Sequence, residues 1–308
     1  ADYFRSPEAD GRPTRATAYR LHEWEFVGAL LRHNLPDPLE ADPAPLAGIR
    51  YYPESDYLLV REPNWFAAVR MGSQRTKTWN SMLGSHLRGS SGAEFSIAFM
   101  TDGREFDDTT IPTMNWNRLM GVTRCDAIEQ PPEAYGQSAF VGGLAGNDFA
   151  VLGQQYLLAP AGMPTLRANK SLFATPDALV LLGTQIRCDA DEPVYTTLYH
   201  TPCCPGVSPE ILSTTGEPRL VSEATGSTPV QHGETIRLGA VTIHLLCDAQ
   251  LLIETRRGAY ADLNHPERAP TEPDKRDRWF RVHERRWAYL IVNHGLRPTN
   301  GRYGAIIY

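Results

Sequence analysis

From Gly48 to the C-terminal end, hydrophobic positions come in short runs that stop at Gly, Pro, Asn or Asp, with almost no helical period. Alternating or β-branched stretches predict strands at Tyr57–Val60, Trp65–Met71, Glu94–Met100, Phe140–Gly143 and Tyr156–Ala159. The same pattern predicts strands at Thr235–Leu238, Val241–Cys247, Leu251–Thr255, Trp287–Val292 and Arg302–Tyr308. Between these groups lies the most regular stretch. Ala168–Ala174 is a short run closed by the turn residues Thr175, Pro176 and Asp177. Ala178–Ile186 is almost wholly apolar, which predicts a central strand covered on both faces. Gly183 interrupts it, as a close-packed or bulged position would. Cys188–Pro193 reads as a polar loop and Val194–His200 as a returning strand, so the three strands are expected to form an antiparallel meander.

Helical spacing occurs once. Trp24, Val27, Leu30 and Leu31 share one face of a helix predicted over Thr17–Asn34. Pro36, Pro38, Pro43 and Pro45 then block further helix. Two regions are expected: residues 1–47 as arm, helix and linker, and residues 48–308 as a β-domain. Ala261–Asp277 is proline-rich and charged and reads as a long loop. The fold class is therefore all-β, an antiparallel sandwich with one N-terminal helix.

Composition narrows the function. The 308 residues carry a net charge of −6, which argues against a nucleic-acid binder. Only Lys77, Lys170 and Lys275 are lysines, so the positive charge is mostly arginine, whose fork suits carboxylate and sulfate groups. The five cysteines are irregularly spaced and give neither a zinc pattern nor a disulfide framework, although one or two bridges fit an exported protein. His200 with Cys203 and Cys204 lacks further ligands at metal-binding spacing, so no metal and no cofactor is expected. No signal peptide and no membrane-spanning run is visible in this stretch.

The candidate ligand-binding residues fall in two stretches. Arg75, Trp79, Asn80, His86 and Arg88 form the first. Asn115, Trp116, Asn117 and Arg118 form the second, an aromatic face with two amides and a guanidinium within four residues. Indole faces stack on sugar rings, and amides with guanidinium groups bind hydroxyls and carboxylates. The plain alternative for each tryptophan is packing, and for each arginine a solvated strand edge. His294, between Asn293 and Gly295, reads as a turn residue held by hydrogen bonds.

Several motifs recur in a known order. Asn169-Lys170-Ser171-Leu172-Phe173, Leu181-Leu182-Gly183-Thr184-Gln185-Ile186 and Thr196-Thr197-Leu198 resemble the central β-domain of polysaccharide lyase family 8. Thr101-Asp102-Gly103, Asn115 to Thr123, Gly258 to Asn264, and Asn293-His294-Gly295 with Pro298 and Tyr303 are similar to further motifs of that domain. The resemblance covers roughly residues 45–308 and implies a large super-sandwich of the galactose-mutarotase-like type. It also implies a secreted or periplasmic protein acting on an acidic polysaccharide of hyaluronan, chondroitin or xanthan type.

The implied reaction is β-elimination at a uronic acid. A tyrosine and a histidine on a helical α/α-toroid domain move the protons, and that domain is expected from another segment or chain. Asn80 stands where the family has a glutamate, Leu83 replaces an asparagine, and Ser85 and His86 replace Glu-Asn. Catalytic residues are therefore expected to be absent from this chain, and the isolated chain is expected to be inactive. Two functions follow: a β-domain that supports or lines a glycan cleft, or a non-catalytic carbohydrate-binding or assembly module.

Overall fold

A computed structural model describes residues 47–308 apart from 79–86, 102, 104, 108, 130–133, 204–208, 214–217 and 222–224. The predicted helix over Thr17–Asn34 lies outside the described residues, as do Trp79, Asn80, His86 and Asp102.

The described residues form eighteen strands in three antiparallel sheets. The first sheet has the order β1-β2-β3-β4, with β1 Gly48–Tyr52, β2 Tyr57–Arg61, β3 Phe66–Arg70 and β4 Ser96–Met100. The next strands are β5 Thr123–Cys125, β6 Val141–Ala145, β7 Ala150–Leu158, β8 Leu166–Ala174, β9 Leu179–Cys188 and β10 Pro193–Pro202. The later ones are β11 Glu210–Leu212, β12 Pro218–Leu220, β13 Gly226–Val230, β14 Thr235–Leu238 and β15 Val241–Leu245. The last are β16 Ala249–Gly258, β17 His283–Leu296 and β18 Gly301–Ile307. The nine-stranded sheet runs β12-β11-β14-β15-β18-β9-β8-β7-β6, and the five-stranded sheet β13-β16-β17-β10-β5. One core collects buried side chains from all three sheets, including Leu58, Val69, Leu172, Leu181, Ile243, Leu251 and Leu290.

β9 is central, between β8 and β18. Its cover differs from the expectation. Leu179, Leu181 and Ile186 are buried, Val180 and Leu182 are half-buried, and Thr184 is exposed, so the second face is only partly covered. Gly183 lies against the Tyr303 ring, where a Cβ would meet the ring carbon at 2.0 Å, so close packing demands glycine there. The bulge falls two residues later, at Gln185 with φ 53°.

Two further expectations need correction. The meander ends at β9, because β10 pairs with β17 and β5 in the five-stranded sheet. Turn chemistry marks that a chain reverses; it does not say which sheet receives the next strand. The stretch Ala261–Asp277 is not a bare loop. It holds two 3₁₀ turns, Tyr260–Leu263 and Pro266–Arg268, and the start of α1, Pro273–Phe280. Proline at the first helical position starts α1, and none of its residues is buried. With no buried face it leaves no apolar period in the sequence. Among the described residues no helix is long and apolar enough to cross a membrane.

Candidate functional site

The site is built on the turn before β5. Asn115 donates its N–H to the Tyr289 hydroxyl at 3.1 Å, and its side-chain oxygen accepts the Asn117 N–H at 3.1 Å. The Asn115 carbonyl accepts the Arg118 N–H at 2.9 Å. An asparagine that closes its own turn in this way fixes the backbone without help from a sheet. Trp116, half-buried, packs against the small cluster of Met114, Leu119, Val122, Trp287, Tyr289 and Ile291.

A pocket of about 330 Å³ opens over this turn. Its lining includes Arg88, Asn115, Trp116 and Asn117, four of the sequence-predicted residues. Arg118 stands beside it and is engaged elsewhere. Its guanidinium forms a bidentate pair with Asp126, at 3.2 and 2.8 Å, and lies 4.6 Å from the Tyr195 ring centre. Arg75 is not among the described residues of the lining. It pairs with Asp56, a fully buried carboxylate that also accepts the Ser73 N–H and the Thr76 hydroxyl, so it clamps a turn. Larger grooves of about 650 and 620 Å³ open elsewhere, but neither has a tryptophan, tyrosine or phenylalanine in its described lining.

Sequence reasoning missed Arg124, Asp126, Glu129 and Arg256 in the lining. Arg256 donates to the Thr113 carbonyl at 2.9 Å and to Glu254 at 3.1 Å. Arg124 is 2% exposed and pairs with Glu94, also 2% exposed. Arg88 lines the pocket, is exposed and makes no ion pair with another described residue.

Behind Arg124 the charges continue inward. Lys170, fully buried on β8, donates to the carbonyls of Glu94 at 3.1 Å and Gly121 at 2.7 Å. The Phe95 and Tyr156 rings flank its ammonium at 5.4 and 4.9 Å. Burial pushes Lys170 down to about 7, against the opposing pull of Glu94. Burial, then the Glu94 carboxylate, raises the Tyr156 phenol well above its ordinary value. The signal that could have found this group was Lys170 itself, a rare lysine in register with the inward-facing Ala168 and Leu172 of β8.

Two histidines are held as neutral rings, His200 buried and His294 half-buried. His200 accepts the Met120 N–H at 3.0 Å through Nδ1 and stacks on Trp287 and Tyr289. His294 lies within β17 rather than in a turn, and its Nε2 pairs with the Thr196 hydroxyl at 2.9 Å. Burial pushes both down to about 4, with Lys170 adding to the effect on His294. The ordinary histidine value is about 6.5, so unfolding takes up protons between about 6.5 and 4. The contribution of these two histidines to stability is therefore expected to be complete above about pH 6.5 and to fall as pH drops toward 4. Urea midpoints at several pH values would test this. A curve no flatter in a His200→Phe variant would contradict the assignment for His200.

The profile of polysaccharide lyase family 8, super-sandwich domain, matches residues 47–308. The chain belongs to this family. As a family 8 super-sandwich domain it is 29% identical, over 53% of its length, to a hyaluronate lyase of Thermasporomyces composti, covering 20% of that protein. It is 24% identical, over 82% of its length, to chondroitinase-AC of Pedobacter heparinus, covering 34% of that protein. The fold matches that of a Paenibacillus xanthan lyase with TM-score 0.73 at 20% identity, over 85% of this chain and 25% of that one. The family 8 chain thus spans about a fifth to a third of the length of these curated relatives.

Proposed function

We propose that this chain is the β-domain of a polysaccharide lyase and lines a cleft for a uronic-acid-containing polysaccharide. The observation that carries this reading is the pocket joining Trp116, Asn115, Asn117 and Arg88. An indole face suits a pyranose ring, the amides suit hydroxyls, and the exposed Arg88 guanidinium suits a carboxylate. β-Elimination needs more: the carboxylate neutralised, the C5 proton removed, and the leaving oxygen protonated. The described lining holds no histidine, tyrosine or cysteine to move those protons. A helical domain, in another segment or chain, is the proposed source of the acid and base. Such polymers are met outside the cytoplasm, so a secreted or periplasmic location goes with this reading.

Binding is the first test. Acidic oligosaccharides titrated against the chain are expected to bind, with about ten-fold or greater weakening in Arg88→Ala. Trp116→Ala is expected to weaken binding as well. Melting temperatures must be kept for either result to count. Binding indifferent to both changes would remove the pocket from the proposal.

Activity is the second. The 308-residue chain alone is expected to release no unsaturated uronide from hyaluronan, chondroitin sulfates or xanthan. A steady rise in ultraviolet absorbance over hours, absent from a boiled control, would contradict this. A non-catalytic binding or assembly module is the second reading. It is favoured by the engagement of Arg118 and Arg124 with Asp126 and Glu94, which leaves fewer charges for substrate.

A further inference from the structure

Two thiols meet where the chain passes from one large sheet to the other. Cys188 closes β9 in the nine-stranded sheet, and its N–H donates to the Pro298 carbonyl at 3.0 Å. A short link, residues 189–192, then leads to β10 in the five-stranded sheet. There Val194 is the register partner of Cys125 on β5. The Cys125 sulfur lies 3.9 Å from the Glu192 carbonyl oxygen, at the end of that link. Both cysteines are free and buried, at 0% and 7% exposure, in the same core. The two thiols are near enough to act on each other's charge, and Cys188 helps to hold Cys125 in its neutral form.

We propose that Cys125 and Cys188 are a modification site, forming an inter-sheet disulfide when the protein meets a small disulfide oxidant. The approach is open on one side. Cys188 lines the groove of about 620 Å³, together with Arg167 and Arg187. These arginines are direct cross-strand partners on β8 and β9, both exposed, with no carboxylate partner among the described residues. Like charges placed so repel each other, and an anionic oxidant such as oxidised glutathione relieves the repulsion.

The exchange balances without further reagents. The Cys188 thiolate attacks one sulfur of oxidised glutathione, the S–S bond breaks, and one glutathione thiolate leaves with the proton. The Cys125 thiolate then attacks the Cys188 sulfur of the mixed disulfide and expels the second glutathione. Two protein thiols are oxidised, one external disulfide is reduced, and two electrons and two protons are transferred. Burial pushes the Cys125 thiol up to about 11, so the second step is the slower one and speeds up with rising pH.

The test uses the 308-residue chain incubated with oxidised glutathione, quenched with acid, alkylated under denaturing conditions and mapped without reduction. The expected result is one linked peptide pair carrying Cys125 and Cys188, with the loss of two thiols. Closing the long loop between them is expected to raise the unfolding midpoint by on the order of 5–15 °C, reversed by dithiothreitol. Cys125→Ser and Cys188→Ser should each abolish the link and the rise. The peptide map needs only the parent chain, so a variant that fails to fold does not shelter the proposal. Retention of both thiols after prolonged oxidation at pH 9 would overturn it. So would a lasting glutathione adduct on Cys188, or a link that joins other cysteines instead.

Discussion

Leu181→Asp is expected to lower the free energy of unfolding by roughly 3–5 kcal/mol, the scale of an uncompensated buried charge. Leu181 is 1% exposed at the centre of β9. Its register partners are Leu172 on β8 and Ala305 on β18, both in the same core. The N–H and C=O groups around it belong to strand ladders on both sides, so a carboxylate there would find no spare donor. Domains are commonly stable by about 5–15 kcal/mol, so this one change removes a large fraction of the total. Urea unfolding would report it as a lower midpoint, whereas Leu181→Met should stay within about 1.5 kcal/mol of the parent. An unchanged midpoint for the aspartate variant would place Leu181 outside the core.

Arg124→Leu is expected to cost a similar amount, about 3–5 kcal/mol, for a different reason. The substitution keeps the position apolar but leaves the Glu94 carboxylate buried without its guanidinium. Removing both charges, as Arg124→Leu with Glu94→Leu, should recover much of the loss, because two desolvated ions then disappear together. Glu94 also raises the Lys170 affinity for its proton, so the double variant should hold Lys170 neutral at a lower pH than the parent does. A double-mutant cycle by chemical denaturation separates the pair from its surroundings. If the single and double variants were equally destabilised, the pair would not be the cause.

Most strands were legible because their burial alternates or because an apolar run is bounded by turn residues, as at β8 and β14. The missed strands lack that signature. β5 is only Thr-Arg-Cys, and its buried residues include the charged Arg124. β13 carries Pro229 and mostly exposed side chains. The departure of β10 to another sheet is a long-range choice, fixed by pairing with β17 some ninety residues later rather than by anything near Cys188–Pro193. The candidate site was half legible for a similar reason. The turn Asn115–Arg118 announces itself locally, through a tryptophan flanked by amides. Arg256 arrives from β16, and no spacing in the sequence connects it to Trp116. Nor does composition reveal that Arg75 faces a buried aspartate instead of a ligand.

The boundary strands of the two large sheets have a consequence for life at high concentration. The nine-stranded sheet ends in β12, three residues long with Pro218, and in β6, which carries Gly142 and Gly143. The five-stranded sheet ends in β13, with Pro229, and in β5, again three residues long. A neighbouring chain that tried to add a strand would meet a missing N–H, a weak strand former or a very short ladder on every one of these four borders. On these four borders the two large sheets can therefore crowd against copies of the chain without offering a ready template for fibrous growth.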